Sequence, residues 1–166
     1  MKRLILMRHG DAPNMKEGDR FRLLSEKGTK QSREAGDYLV RAHIIPDLIY
    51  VSPVERTMKT LECLTSALKK TPLTEIQIGL YAASKERILS IIEKCPEDIN
   101  NLLVIGHNPG ISELLRFLPI VKDAHYKQMK QYVFPEGGLV SLVYEIDDWG
   151  FVSVSDGLFE YQFVSH

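Results

Sequence analysis

Leu4-Ile5-Leu6-Met7-Arg8-His9-Gly10-Asp11 sets an unbroken apolar run against an arginine, a histidine and a glycine. The run is bounded by charge on one side and Gly10 on the other, which predicts a short buried strand. It stops abruptly at Arg8 and His9, so both side chains belong at the strand's carboxyl end, where open α/β sheets place their ligands. Arginine brings a fixed positive fork suited to phosphate or carboxylate. Histidine brings a ring nitrogen that can be neutral and nucleophilic near pH 7. Gly10 lets the chain turn sharply and brings a backbone N–H close to whatever Arg8 and His9 hold.

The same pattern recurs along the chain. Residues 47–51 predict a second strand ending at Ser52-Pro53, with Ser52 as cap and Pro53 at the first position of a helix to about Leu68. Arg56 falls in the first turn of that helix. A cation there opposes the helix dipole and makes sense only with an anion beside it. Residues 102–105 predict a third buried strand, ending in Gly106-His107-Asn108-Pro109-Gly110 before a helix over 109–118. Between these lie a loop over 11–24, whose Arg20 and Arg22 can reach the strand ends, and a helix from the cap Ser25 to about His43. A short strand over 76–78 and a helix over 85–94 complete the middle. Residues 119–136 show little period and suit a loop over the site or a short helix. The end predicts a hairpin: a strand over 138–146, a turn at Asp147-Asp148-Trp149-Gly150 and a strand over 151–155. The expected fold is α/β: one three-layer α/β/α domain over 1–166, its central sheet mostly parallel, with an antiparallel C-terminal edge hairpin.

Composition narrows the function. At 166 residues, 44% hydrophobic and 26% charged, the chain has ordinary globular values. Its net charge of −1 argues against nucleic-acid binding through bulk electrostatics. No apolar run approaches the ~20 residues of a membrane span, and the start is too short in apolar residues for a signal peptide. Cys63 and Cys95 read as buried free thiols. These features predict a cytoplasmic protein with no nucleic-acid or membrane partner.

Arg8, His9, Arg56 and His107 thus converge at three neighbouring strand ends. Two arginines with two histidines suit a compact dianion, and phosphate is the natural one. A metal site is the rival reading, but no carboxylate or cysteine has ligand spacing with His9 or His107, and adjacent arginines repel a cation. No metal and no cofactor are expected. Arginines nearby should lower a histidine's pKa and keep it nucleophilic. Arginines and the second histidine could then stabilise the equatorial oxygens of a transferring phosphoryl group. This chemistry alone leaves open which histidine attacks.

Arg8-His9-Gly10, Leu24-Ser25-x-x-Gly28, Ser52-Pro53-x-x-Arg56-Thr57-x-x-Thr60 and Gly106-His107-Asn108-Pro109, in that order, resemble the histidine phosphatase (phosphoglycerate-mutase-like) superfamily. The resemblance covers the chain from Arg8 to about Pro109. It implies His9 as nucleophile, Arg8 and Arg56 as phosphate clamps and His107 as the second histidine, with Gly10, Arg22 and Asn108 also expected at the phosphate. Arg-His-Gly-Asp, the short length and Arg22 before Leu-Leu-Ser resemble the SixA-type phosphohistidine phosphatases, with Leu23 standing where their pattern has proline. The larger mutases and sugar phosphatases carry a glutamate acid after mid-chain. Residues 80–84 here hold no carboxylate, and the flanking Glu75 and Glu86 read as solvated.

A missing acid matters to alkyl phosphates, whose alkoxide is a poor leaving group that gains ~10²–10⁴ in rate from a general acid. Imidazole leaves far more readily. The leading expectation is a phosphatase acting on a phosphohistidine-bearing protein through a phospho-His9 intermediate. The alternatives are a phosphatase of a small phosphomonoester, with Asp11 or an unplaced glutamate as acid, and a catalytically weak phosphate- or phosphoprotein-binding module.

Overall fold

In a computed structural model describing residues 1–166, the apolar runs become the strands β1 (Lys2–Arg8), β2 (Leu48–Val51), β4 (Asn101–Gly106) and β5 (Leu139–Tyr144). β3 (Leu73–Ile76) and β6 (Leu158–Phe163) close the two edges of one sheet ordered β3-β2-β4-β1-β5-β6. β1, β2, β3 and β4 run parallel, and β5 and β6 add the antiparallel edge. Five helices cover the sheet: α1 (Glu26–Arg41), α2 (Glu55–Thr65), α3 (Lys85–Glu93), α4 (Gly110–Phe117) and α5 (Tyr126–Lys130).

Strand alternation builds two cores. Leu4, Leu6, Leu102, Val104 and Val140 face one side with Ile88, Ile92, Leu114 and Met129 from α3, α4 and α5. Ile5, Met7, Leu103, Ile105 and Val51 face the other with Ala35, Leu39 and Leu64 from α1 and α2. Strands buried on both faces explain the near-continuous hydrophobic runs. No helix is long and apolar enough to cross a membrane.

Register brings the strand ends level. Met7 pairs with Ile105, which also pairs with Val51, and Arg8 pairs with Gly106. His9, Ser52 and His107 therefore emerge side by side at the sheet's carboxyl edge. Alternation continues past the strands: Arg8 follows Leu4 and Leu6 toward the α5 side, whereas His9 and His107 follow Met7 and Ile105 toward α2.

Three expectations are corrected. The last strand is not 151–155: Trp149–Phe151 forms a 3-10 turn, and pairing with β5 falls to Leu158–Phe163. Trp149 is fully buried and donates from Nε1 to the Ile99 carbonyl at 2.9 Å. Trp149 from the expected turn and Val152 from the expected strand are thus drawn into the core, while Phe151 and Val154 stay exposed. β3 lies at Leu73–Ile76 rather than 76–78. Ser52 does not cap α2, which starts later with Val54 at the cap position. Ser25 does cap α1, accepting from the Gly28 N–H at 3.0 Å.

Candidate active site

His9 is 4% exposed and its Nδ1 lies 2.7 Å from the Gly10 carbonyl oxygen. A carbonyl only accepts, so Nδ1 carries the ring proton and Nε2 keeps its lone pair. Nε2 faces Arg56, whose Nε–H donates to it at 3.3 Å. His107 sits alongside, with ring centroids 5.3 Å apart. Its Nε2 is 2.6 Å from the Ser52 hydroxyl, and its Nδ1 is buried with no protein partner.

Both rings are held neutral. His9 is lowered to about 4, first by burial, with Arg56, Arg8 and Arg22 adding to it and the Gly10 contact opposing. His107 is lowered to about 3, again first by burial, then by His9 and Arg56. The arginines are secondary to desolvation, which corrects the emphasis drawn from sequence.

The two arginines arrive from opposite sides. Arg8 donates from Nη1 to the Phe134 carbonyl at 3.0 Å, and its Nη2 is 3.4 Å from Glu136. Its Nε is buried without a partner. Arg56 is 4% exposed, although its place in the first turn of a helix suggests a surface residue. It donates from Nη1 to the Asp19 carbonyl at 2.7 Å and from Nη2 to the Asp19 carboxylate at 3.0 Å. The anion that a cation at this helix start demands is supplied by the chain itself. Arg22 reaches the same carboxylate from Nη1 at 3.1 Å and braces the Ala12 carbonyl from Nε at 3.0 Å.

The remaining motif residues hold this frame. The Thr60 hydroxyl accepts from the Gly10 N–H at 3.0 Å and donates to the Arg56 carbonyl at 2.7 Å. The Gly10 N–H is therefore engaged by α2 and not turned to an anion, contrary to expectation. Gly10 is needed for close approach: a Cβ there would lie 2.5 Å from the Gly28 carbonyl oxygen and 2.9 Å from the Ser32 hydroxyl. Thr57 donates to the Ser52 carbonyl at 2.6 Å. Asn108, expected at the phosphate, is engaged at both ends of its amide. Nδ2 donates to the Phe134 carbonyl at 2.9 Å, and Oδ1 accepts from Ser112 at 2.6 Å. It thereby braces the carbonyl that also orients Arg8. The 131–138 segment does run over the site, clasped where the Gly137 N–H donates to the His9 carbonyl at 2.9 Å.

Sequence reading missed Asp19, Tyr81, Ser52's contact with His107, and Glu136. Tyr81 donates from its hydroxyl to Asp19 at 2.7 Å and meets the His107 ring edge-on at 5.8 Å. An acid set among arginines in the 11–24 loop was the available signal for Asp19. Asp11 is otherwise engaged, accepting from the Ser25 hydroxyl at 2.5 Å. Glu86 pairs with Lys85 at 2.8 Å, and Glu75 accepts from Gln77 at 3.2 Å. No group of three or more His, Cys, Asp or Glu side chains is arranged to hold a metal ion.

A family model described as histidine phosphatase superfamily (branch 1) matches residues 4–84, the stretch carrying Arg8-His9-Gly10 and Arg56. Over that stretch, just under half of its length, the chain is similar to the histidine phosphatase superfamily. It is 28% identical over 120 residues to the phosphohistidine phosphatase SixA of Escherichia coli (strain K12), covering 68% of this chain and 71% of that one. It is 38% identical over 69 residues to a 2,3-bisphosphoglycerate-dependent phosphoglycerate mutase of Elusimicrobium minutum (strain Pei191), covering 39% of this chain and only 27% of the mutase. Among solved structures, the protein histidine phosphatase SixA complexed with tungstate superposes with a TM-score of 0.79 at 22% identity, covering 98% of this chain and 96% of that one. These similarities support a phosphatase enzyme, and its fold is the histidine phosphatase fold.

Proposed function

We propose that this protein is a metal-independent phosphatase of protein phosphohistidine, working through a phosphohistidine on its own His9. His9 Nε2 attacks the phosphorus, forming a new N–P bond as the substrate's P–N bond breaks and its imidazole, already protonated on the other ring nitrogen, leaves as the neutral ring. Water then attacks the phosphorus, the His9 N–P bond breaks, and inorganic phosphate departs. Arg8, Arg56 and His107 hold the equatorial oxygens, while Asn108 braces the frame. Arg22 reaches the clamp through Asp19.

The observation that carries this reading is the state of the carboxylates at the site. Asp19 is bound to Arg56 and Arg22, and Glu136 lies 3.4 Å from Arg8, so each of these carboxylates stands against a guanidinium. The Tyr81 hydroxyl holds Asp19 well below the usual carboxylate range; burial opposes this, and Arg22 and Arg56 add to the lowering. A site whose nearest carboxylates are engaged with arginines suits an imidazole leaving group better than an alkoxide, which gains most from a general acid. Similarity to SixA and the tungstate held by that protein, an oxyanion like phosphate, point the same way.

Phosphate release from a phosphohistidine-bearing protein, an aryl phosphate and an alkyl phosphate, each in EDTA, tests the proposal. Turnover should survive EDTA and favour the first two substrates over the alkyl ester by ~10² or more in kcat/KM. Comparable alkyl phosphate hydrolysis would favour the small-phosphomonoester reading. Loss in EDTA would remove metal independence, and absence of all turnover by a folded, phosphate-binding protein would leave a binding module.

A further inference from the structure

The clamp is engaged with an anion of the chain's own. Arg56 turns Nε toward His9 and donates from each remaining nitrogen to Asp19, at 2.7 Å to the carbonyl and 3.0 Å to the carboxylate. Arg22 and Tyr81 add donors to the same carboxylate at 3.1 and 2.7 Å. The Arg20 guanidinium lies 4.5 Å over the Tyr81 ring, so the two loops form a strap across the mouth of the site. Asp19 itself is about half exposed, at 49% for its side chain, and none of residues 13–24 is buried. What ties this segment down near the site is the charge of the clamp and the Arg22 contact with Ala12. A phosphoryl group on His9 that takes the Nη2 arm of Arg56 in its present direction competes there with the Asp19 carboxylate.

We propose that Asp19 is a tethered competitor for the phosphate clamp: it occupies Arg56 when the site is empty, yields to the phosphoryl group, and returns to expel the product phosphate. The proposal rests on the reading that this pocket binds phosphate. A buried guanidinium is costly without a counter-charge, and Asp19 supplies one between turnovers. Because it is tethered, it competes at a high effective concentration. A ligand that must displace it has an apparent dissociation constant raised by the inverse of the open fraction.

The opposite possibility is that Asp19 stays in place and orients Arg56 for the ligand, and the two differ in sign. Binding of inorganic phosphate by Asp19→Asn, Asp19→Ala and the parent protein, at one pH and ionic strength, distinguishes them. Both variants should bind about tenfold tighter, as expected if the carboxylate-engaged state holds roughly nine-tenths of the population. Both should show correspondingly stronger product inhibition. Tyr81→Phe keeps the charge but removes one of the donors holding it, and should also tighten binding, by about threefold. Unchanged or weaker binding in the Asp19 variants overturns the proposal and leaves the proposed function standing. Tightening in the Asp19 variants without tightening in Tyr81→Phe also overturns it, by reducing Asp19 to a distant charge. Absence of phosphate binding in every protein overturns it together with the proposed function.

Discussion

The Nε–H of Arg56 points at Nε2 of His9 across 3.3 Å, so the clamp and the lone pair of the expected nucleophile face the same small volume. The Gly10 carbonyl enforces this by holding the ring proton on Nδ1. Catalysis by positioning needs this kind of fixed relation between attacking atom and anion holder.

Arg56→Ala should weaken inorganic phosphate and vanadate binding by about 10²-fold, the loss of a charge-assisted fork. Because Arg56 is buried, the variant should also lose on the order of 1–3 kcal/mol of stability. Arg56→Lys should recover stability better than affinity, since an ammonium cannot reproduce the planar fork. Anion titration and denaturant unfolding check both, and unchanged affinity for both anions would remove Arg56 from the site.

His107→Ala should slow turnover ~10²-fold or more, the cost of losing a transition-state donor, while His9 still takes label from substrate. Ser52→Ala should act through His107, whose Nε2 lies 2.6 Å from the Ser52 hydroxyl. It should lower kcat by about tenfold with little change in phosphate affinity, and have no further effect once His107 is absent. Steady-state kinetics on the single and double variants separates the two residues.

The histidines also set a pH dependence. His9 is lowered to about 4 and His107 to about 3, both from an ordinary 6.5. With the folded values below the unfolded one, the unfolded chain takes up protons first as pH falls through 6.5. Stability should therefore drop from pH 7 to pH 5, by on the order of 2 kcal/mol per histidine at most. Denaturant unfolding of His9→Asn across that range should show a smaller drop. The enzyme's own acid limb in kcat/KM should lie near 4 rather than 6.5, after correction for substrate ionisation.

Much of this was legible in the sequence because strand ends announce themselves. The apolar runs before Arg8, Ser52 and Gly106 are buried on both faces, so their abrupt stops mark one edge of the sheet. The C-terminal strand was not legible, because residues 151–155 alternate as a strand does, while Val152 and the expected turn residue Trp149 pack as core anchors. Asp19 was missed because its role depends on a loop returning to α2, which an acid among arginines hints at but does not place. Asn108 and Gly10 lie where expected along the chain. Their hydrogen bonds are taken by Phe134, Ser112 and Thr60, contacts that form only when the helices pack.

The central question is which histidine carries the phosphoryl group. His9 follows Arg8 directly and presents an unprotonated Nε2 toward Arg56, whereas the Nε2 of His107 is engaged with Ser52. Rapid-quench labelling with a phosphorylated substrate, followed by peptide mapping of the acid-labile phosphate, reads this out directly. The label is expected on His9 in the parent protein and in His107→Ala, and neither label nor turnover is expected in His9→Ala. A label that maps to His107, or that survives in His9→Ala, would contradict the assignment.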